Sequence, residues 1–194
     1  DIRIRSLLKY SRAVKELQDD ANQLSAINEI QRDIAMARLD LETILQLAVE
    51  RIQQLTRASG SSILFIEEHE LVLKAAHGLE NARLGERFSI AGRYAWQCVQ
   101  AGEIFCCEDA VLDPRMERDQ SRLIGVRSIL DVPLCHDQKV LGLLHVESGL
   151  PQAFRRRDIH ALELIAGLIA AAIVHAMEFQ AKHALLTERS AALE

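Results

Sequence analysis

From Ile4 to Ile34, apolar residues recur at helical intervals (Leu7, Val14, Leu17, Leu24, Ile27, Ile30 and Ile34), with no proline or glycine between them. This spacing predicts a long amphipathic helix. A second helix is predicted after Leu39-Asp40, where Leu41, Ile44, Leu45, Ala48, Val49, Ile52 and Leu55 make a stripe broad enough to lie on a sheet. It stops near Ser59-Gly60. The period then shortens to strand-like runs at 61–68, 71–78, 103–109, 128–135 and 140–148. Between the second and third runs, AGRYAWQCVQAG predicts a short helix bounded by glycines, and the polar residues 109–125 predict a loop with a short helix, turning at Asp113-Pro114. From about Arg155 to Glu194 a single helix is expected, with a seam through Leu162, Ile165, Ile169, Ile173, Ala176, Phe179, His183, Leu186 and Leu193. That seam outruns the strands by several turns. An isolated helical tail is marginal in water, so both end helices are expected to pair with those of a second copy.

The last two strands carry the sharpest pattern. Leu130, Val132 and Leu134 share one face, and Ile129, Asp131, Pro133 and Cys135 share the other. In the next strand Val140, Gly142, Leu144 and Val146 alternate with Leu141, Leu143, His145 and Glu147. Placing both apolar faces together requires paired residue numbers with an even sum, hence a connection of odd length, and His136-Asp137-Gln138 has that length. The register then gathers Asp131, His145 and Glu147 on the second face, with Cys135 near its rim and His136 at the exposed tip. The terminal helices are expected to cover the apolar face, which leaves the mixed face to residues 84–125. A polar-lined pocket is expected there. Its candidate ligand-binding residues are Asp131, His145, Glu147 and Ile129 from the sheet, with Trp96, Phe105, Cys107 and Met116 from the cover. The competing expectation is a half-open sheet whose polar residues simply face water.

Composition narrows the function classes. With 194 residues and 49% hydrophobic content, the chain has core enough for one ordinary domain with something left over. A net charge of −5, with both signs interspersed, offers no broad attraction to nucleic acid or an anionic membrane. The longest uncharged candidate span, Leu164 to Val174, reads as a buried helix segment, so the piece is expected to be soluble. It begins with Asp1 and no apolar leader, as expected of a processed chain or a piece cut from a longer protein. Four cysteines match neither a disulfide scaffold nor a zinc site, and a reducing cytoplasm is the expected location. Glu108 and Asp109 are expected to raise the thiol pKa values beside them, which argues for inert thiols rather than thiolate catalysis. Arg155-Arg156-Arg157 at a helix start reads as a solvated basic face in preference to an anion site. The acidic series Glu108, Asp109, Asp113, Glu117 and Asp119 lacks metal-ligand spacing. No phosphate-binding glycine loop, nucleophile elbow or zinc-protease pattern occurs. No catalytic residue, no metal and no enzymatic activity are expected of this piece.

The stretch RSILDVPLCHDQKVLGLLHVESGLPQAFRRRDIHALELIAGLIAAAI, residues 127–173, resembles a GAF domain. It holds in order an RS-hydrophobic-VPL strand, a turn, a GLL strand, Phe154 followed by Asp158, and an alanine-rich helix. The resemblance spans about Leu39 to Ala176. It implies an α+β fold with a central antiparallel sheet, a helical layer on one face, a ligand pocket under loops and short helices on the other, and long N- and C-terminal helices. Three parts are implied: a signalling and dimerisation helix at 1–38, the GAF domain at 39–176, and a coiled-coil linker at 177–194 leading to an output domain. The implied function is that of a homodimeric bacterial sensor that binds a small molecule. It would signal to a cyclic-di-GMP synthase or phosphodiesterase, a histidine kinase or a transcription activator. The alternatives are a ligandless relay scaffold and a redox sensor using Cys106 or Cys107.

Within the resemblance, several ligand classes leave no mark, and the cofactor is unknown. Bilin-binding members attach pigment to a cysteine followed by histidine about ten residues before the strand that here starts at Ser128. Asp119-Gln120-Ser121 stands there, and Cys135-His136 lies beyond the strand. Haem-sensing members place a histidine in the same loop, and none occurs from Met116 to Val126. Members of the cyclic-nucleotide phosphodiesterase type carry Asn-Lys where this chain has Glu147-Ser148-Gly149. Free-methionine-sulfoxide reductases place their first cysteine where this chain has Ala95, and Cys98, Cys106 and Cys107 do not reproduce their spacing.

Overall fold

The apolar stripe at 44, 45, 48, 49 and 52 folds as a helix, α1 (Leu41–Thr56), because every one of those residues can then face one sheet. In the computed structural model, residues 41–56, 58–78, 84–89, 95–116 and 125–191 are described, with scattered positions between 12 and 32; side chains are described to Phe179 and at Lys182, without Trp96. The described positions between 12 and 32 are helical, and Ile27 packs against the core. The rest of the expected 4–34 helix, and the short helix expected within 109–125, lie outside the described residues. Helix α1 closes with the Thr56 hydroxyl donating to the Ile52 carbonyl at 2.8 Å, while Ser61 Oγ donates to the Val49 carbonyl at 2.7 Å. That second bond fastens the helix to the strand that follows.

Strand β1 (Gly60–Glu67) turns through Glu68-His69, both at positive φ, into β2 (Glu70–His77). A short β3 (Arg87–Ser89) pairs with β2, α2 (Ala95–Ala101) follows, and β4 (Phe105–Cys107) pairs with β5 (Ser128–His136). Then β6 (Lys139–Ser148) returns to pair with both β5 and β1, and α3 (Arg156–Ala191) completes the described chain. The result is one antiparallel sheet in the order β3-β2-β1-β6-β5-β4 with helices packed on it, an α+β fold. Strand β3 lies outside the five strand-like runs read from the sequence. Three residues with a mostly exposed face carry too little alternation to announce themselves.

The β5–β6 register departs from expectation in one instructive way. Leu130↔Val146, Asp131↔His145 and Val132↔Leu144 have the expected even sum, but the turn is the two residues Asp137-Gln138, both at positive φ, and His136 pairs with Lys139 inside the ladder. A bulge between Leu134 and Cys135 restores the parity, with Leu141 as the extra residue on β6. In consequence Leu141, and not Val140, lies against the first core; Val140 sits with Cys135 beside Gly102 on the other side. Gly142 is required by close approach: a Cβ there would strike the Leu64 carbonyl of β1. Pro133 stands beyond the last β4 pair, Phe105↔Asp131, where β5 runs as an edge and needs no donor.

Leu130, Val132, Leu134, Leu144 and Val146 meet Leu45, Val49 and Ile52 of α1 and Leu162, Ile165, Ile169 and Ile173 of α3 in the main core. Mean hydropathy peaks at 1.9 within Arg156–Phe179, enough by length and composition to cross a bilayer, yet Leu162, Ile165, Ile169 and Ile173 of this stretch are buried in the main core. Helix α3 begins with one half of a capping box: the Asp158 carboxylate accepts the Arg155 N–H at 2.8 Å, while the Asp158 N–H donates to the Arg155 backbone carbonyl at 2.9 Å. Phe154 is buried in the main core immediately before it.

Candidate functional site

Alternation along β5 and β6 sends Asp131, His145 and Glu147 to the face away from α1 and α3. Because Asp131 and His145 are direct cross-strand partners, their side chains meet: His145 Nδ1 lies 2.7 Å from Asp131 Oδ1. Its Nε2 lies 3.3 Å from Glu147 Oε2, two residues further along the same strand face. An imidazole with a carboxylate on each nitrogen donates from both, which is the protonated form. Burial works against that charge, but the two carboxylates, Asp131 foremost, outweigh it and push the pKa up to about 10. Asp131 is 1% exposed, which removes the expectation of polar residues simply facing water on a half-open sheet. Its Oδ2 is buried and has no hydrogen-bond partner.

Around this cluster lies a second, smaller core of Leu71, Ala95, Cys98, Phe105, Cys107, Ala110, Met116, Val126, Ile129 and Leu143. Four predicted site residues, Ile129, Phe105, Cys107 and Met116, are therefore buried packing residues of this layer. Two of them adjoin the cluster by register: Phe105 stands directly across from Asp131, and Ile129 directly across from Glu147. Trp96 falls in α2, and its side chain lies outside the described residues. Cys98 was missed as a neighbour: its thiol donates to the Asp131 carbonyl at 3.7 Å. Its place one helical turn inside a glycine-bounded helix was the available signal. Leu143 and Leu71 were likewise legible only as apolar strand positions.

The frame of this layer is built from two arginine–aspartate pairs. Arg127 grips Asp109 with two bonds of 2.9 and 2.6 Å, tying the start of β5 to the turn after β4. Arg115 holds Asp113, bonds the Cys106 carbonyl at 3.3 Å and lies 4.5 Å above the Phe105 ring. The Arg115 bond holds the Asp113 carboxyl down to about 2. The expected acidic series is thus partly spent on ion pairs, with Glu117 and Asp119 outside the described residues. Among the described residues, no group of three or more His, Cys, Asp and Glu side chains has a metal-binding arrangement.

The thiols are all shifted upward. Burial, and then Asp131, push Cys98 to about 12; burial, and then Asp113, push Cys107 to about 11. Cys106 is raised by burial and by Glu108, and Cys135 by burial. Desolvation outranks the acidic neighbours in each case, and Asp109 acts on Cys107 in the opposite sense to that expected, through a backbone hydrogen bond that lowers its pKa. His136 and Cys135 end at the hairpin tip, where His136 lies 3.5 Å from Asp137, so the Cys-His dipeptide marks the chain reversal. On α3, His160 and His175 are exposed, as are Arg155, Arg156 and Arg157; His183 is outside the described side chains.

An antiparallel sheet with a helical layer on one face and a recessed polar cluster on the other defines a class of α+β domain. The chain belongs to the GAF domain family, whose sequence profile matches residues 38–174. Solved structures of similar fold include the GAF domain of an Acinetobacter phosphoenolpyruvate-protein phosphotransferase, 23% identical with a TM-score of 0.72 over 81% of this chain and 96% of that one. The corresponding domain from Coxiella burnetii is also 23% identical, with a TM-score of 0.73 over 83% and 98%. The free methionine-R-sulfoxide reductase from Neisseria meningitidis, solved with its substrate, is 19% identical, with a TM-score of 0.70 over 81% and 92%. No functionally curated protein matches the chain. The GAF family is known for small-molecule-binding sensor and regulatory modules, and that is the class to which this chain is assigned.

Proposed function

We propose that this chain is a homodimeric sensor domain that binds a small molecule at the Asp131–His145–Glu147 cluster and relays the event through its terminal helices to an output domain. The carrying observation is the cluster itself: three ionisable side chains in a buried layer, with one carboxylate oxygen left bare. The large majority of buried side-chain polar atoms have a hydrogen-bond partner, so the bare oxygen is an open acceptor for a ligand donor. Dimerisation is supported by exposed apolar side chains: Leu164 and Met177 on α3, and Val14, Leu17 and Leu24 at helical spacing near the N-terminus. The relay is supported by connectivity, since only eight residues, 148–155, lie between Glu147 and the start of α3 at Arg156. A ligand shifts such an equilibrium by its difference in affinity for the two states, typically about 1–3 kcal/mol. A cyclic-di-GMP synthase or phosphodiesterase, or a histidine kinase, is the proposed kind of output, the cytoplasm the proposed location, and this piece is proposed to be non-enzymatic.

Native mass spectrometry of the purified chain, with an absorption spectrum of the same sample, tests the proposal. The expected result is a dimer carrying an additional small mass that disappears in the Asp131→Asn, Glu147→Gln double variant while the dimer persists. A bound mass that survives in the double variant removes the cluster from the ligand site. A second reading, a ligandless dimerisation scaffold, draws on the packing of Leu71, Phe105, Met116, Ile129 and Leu143 across the same face. It predicts a bare dimer and signalling indifferent to the double substitution. A cysteine redox sensor is opposed by the raised thiol pKa values.

A further inference from the structure

The buried cluster sets an acid pair against one cation, and its donors are already committed. Both imidazole N–H groups are directed at carboxylates, and the Cys98 thiol is directed at the Asp131 backbone carbonyl. Asp131 Oδ2 is left as a desolvated acceptor on a side chain 2% exposed, and a buried carboxylate oxygen without a donor is costly unless something supplies one. An anionic ligand would add like charge, and a neutral alcohol would satisfy the oxygen but leave the acid excess uncompensated. The walls nearby are apolar: Phe105 stands directly across from Asp131, with Ile129 and Leu143 in the same layer.

We infer that the cluster takes a small molecule presenting a cationic N–H donor, an ammonium or amidinium group on an apolar body, with the donor bonded to Asp131 Oδ2. The inference rests on the reading of the cluster as a ligand site and specifies the ligand's chemical class. Glu147, less deeply buried than Asp131, supplies the second negative charge that favours a cation over its neutral isostere.

Three isosteric probes test it on the unaltered chain: benzylammonium, benzyl alcohol and benzoate, read by saturation-transfer NMR and by the ring nitrogen signals of His145. Benzylammonium is expected to bind and to shift the His145 signals, benzyl alcohol to bind more weakly and benzoate not at all. Asp131→Asn is expected to weaken benzylammonium by about 10- to 100-fold, the range of a charge-assisted hydrogen bond. Glu147→Gln, at the better exposed position, is expected to weaken it less and guards against an Asp131 variant that fails to fold. Benzoate binding that depends on Asp131 would overturn the cationic class while leaving the ligand-site reading intact. Benzylammonium binding indifferent to both substitutions, or no binding by any probe, overturns the inference. In that event the mass carried by the native dimer still judges the ligand-site reading separately.

Discussion

The two faces of the sheet are made by the same strands yet follow different rules. Toward α1 and α3, Leu130, Val132, Leu134, Leu144 and Val146 are aliphatic and fully enclosed by long helices. Toward α2 and the turn after β4, their sequence neighbours Ile129, Asp131, Leu143, His145 and Glu147 mix packing with a buried ionic cluster under shorter elements. Hydrophobic burial is non-directional and tolerates substitution of similar volume, whereas a desolvated carboxylate demands a donor at one place. One face is therefore held by volume alone, and the other also by donors and acceptors that must meet at one place.

Substitutions on neighbouring residues separate the two. Leu130→Ala, on the enclosed face, is expected to destabilise by about 2–5 kcal/mol in denaturant titration. Ile129→Ala, one residue away, is expected to cost less and to perturb the His145 ring signals, which Leu130→Ala leaves in place. If the two behave alike, the division between faces fails. Gly142→Ala is expected to cost about 1–3 kcal/mol, because the new methyl must displace the β1 backbone at Leu64 and disturbs both faces together.

The ionic face alone is expected to respond to pH. The folded pKa of His145 is raised from 6.5 to about 10, so its contribution is complete below about pH 6.5 and is lost as pH rises through about 10. Thermal unfolding across that window is expected to show a decline no steeper than about 1.4 kcal/mol per pH unit, flattened in Asp131→Asn. A decline of equal slope in that variant would assign it to other groups. The smallest expected effect is that of Asp158→Ala, about 1 kcal/mol from the lost bond to the Arg155 N–H at the start of α3, with the His145 signals unmoved.

The enclosed face was legible from the sequence because a period of two and an aliphatic set at 130, 132, 134, 144 and 146 admit one register. The positions of Asp131, His145 and Glu147 followed from that register. The bulge was not legible: Val140 and Leu141 are both apolar, so a slip between them leaves the pattern unchanged. Nor was the burial of Asp131, since alternation gives a side chain its face but not its cover. That cover comes from Phe105, Cys98 and their neighbours, residues remote in sequence whose approach depends on β4 pairing and on the Arg127–Asp109 clamp. Phe105, Cys107 and Met116 could equally have lined an opening or closed it, and only assembled packing distinguishes the two.

The extra residue Leu141 divides the final hairpin into two independently adjustable lengths. Deleting it would leave a plain two-residue reversal in which Cys135 still meets Val140 and Asp131 still meets His145. The hairpin end, where Cys135 and Val140 approach Gly102, is thereby insulated from the charged trio, and trimming it by that one residue leaves the Asp131–His145 pairing in register.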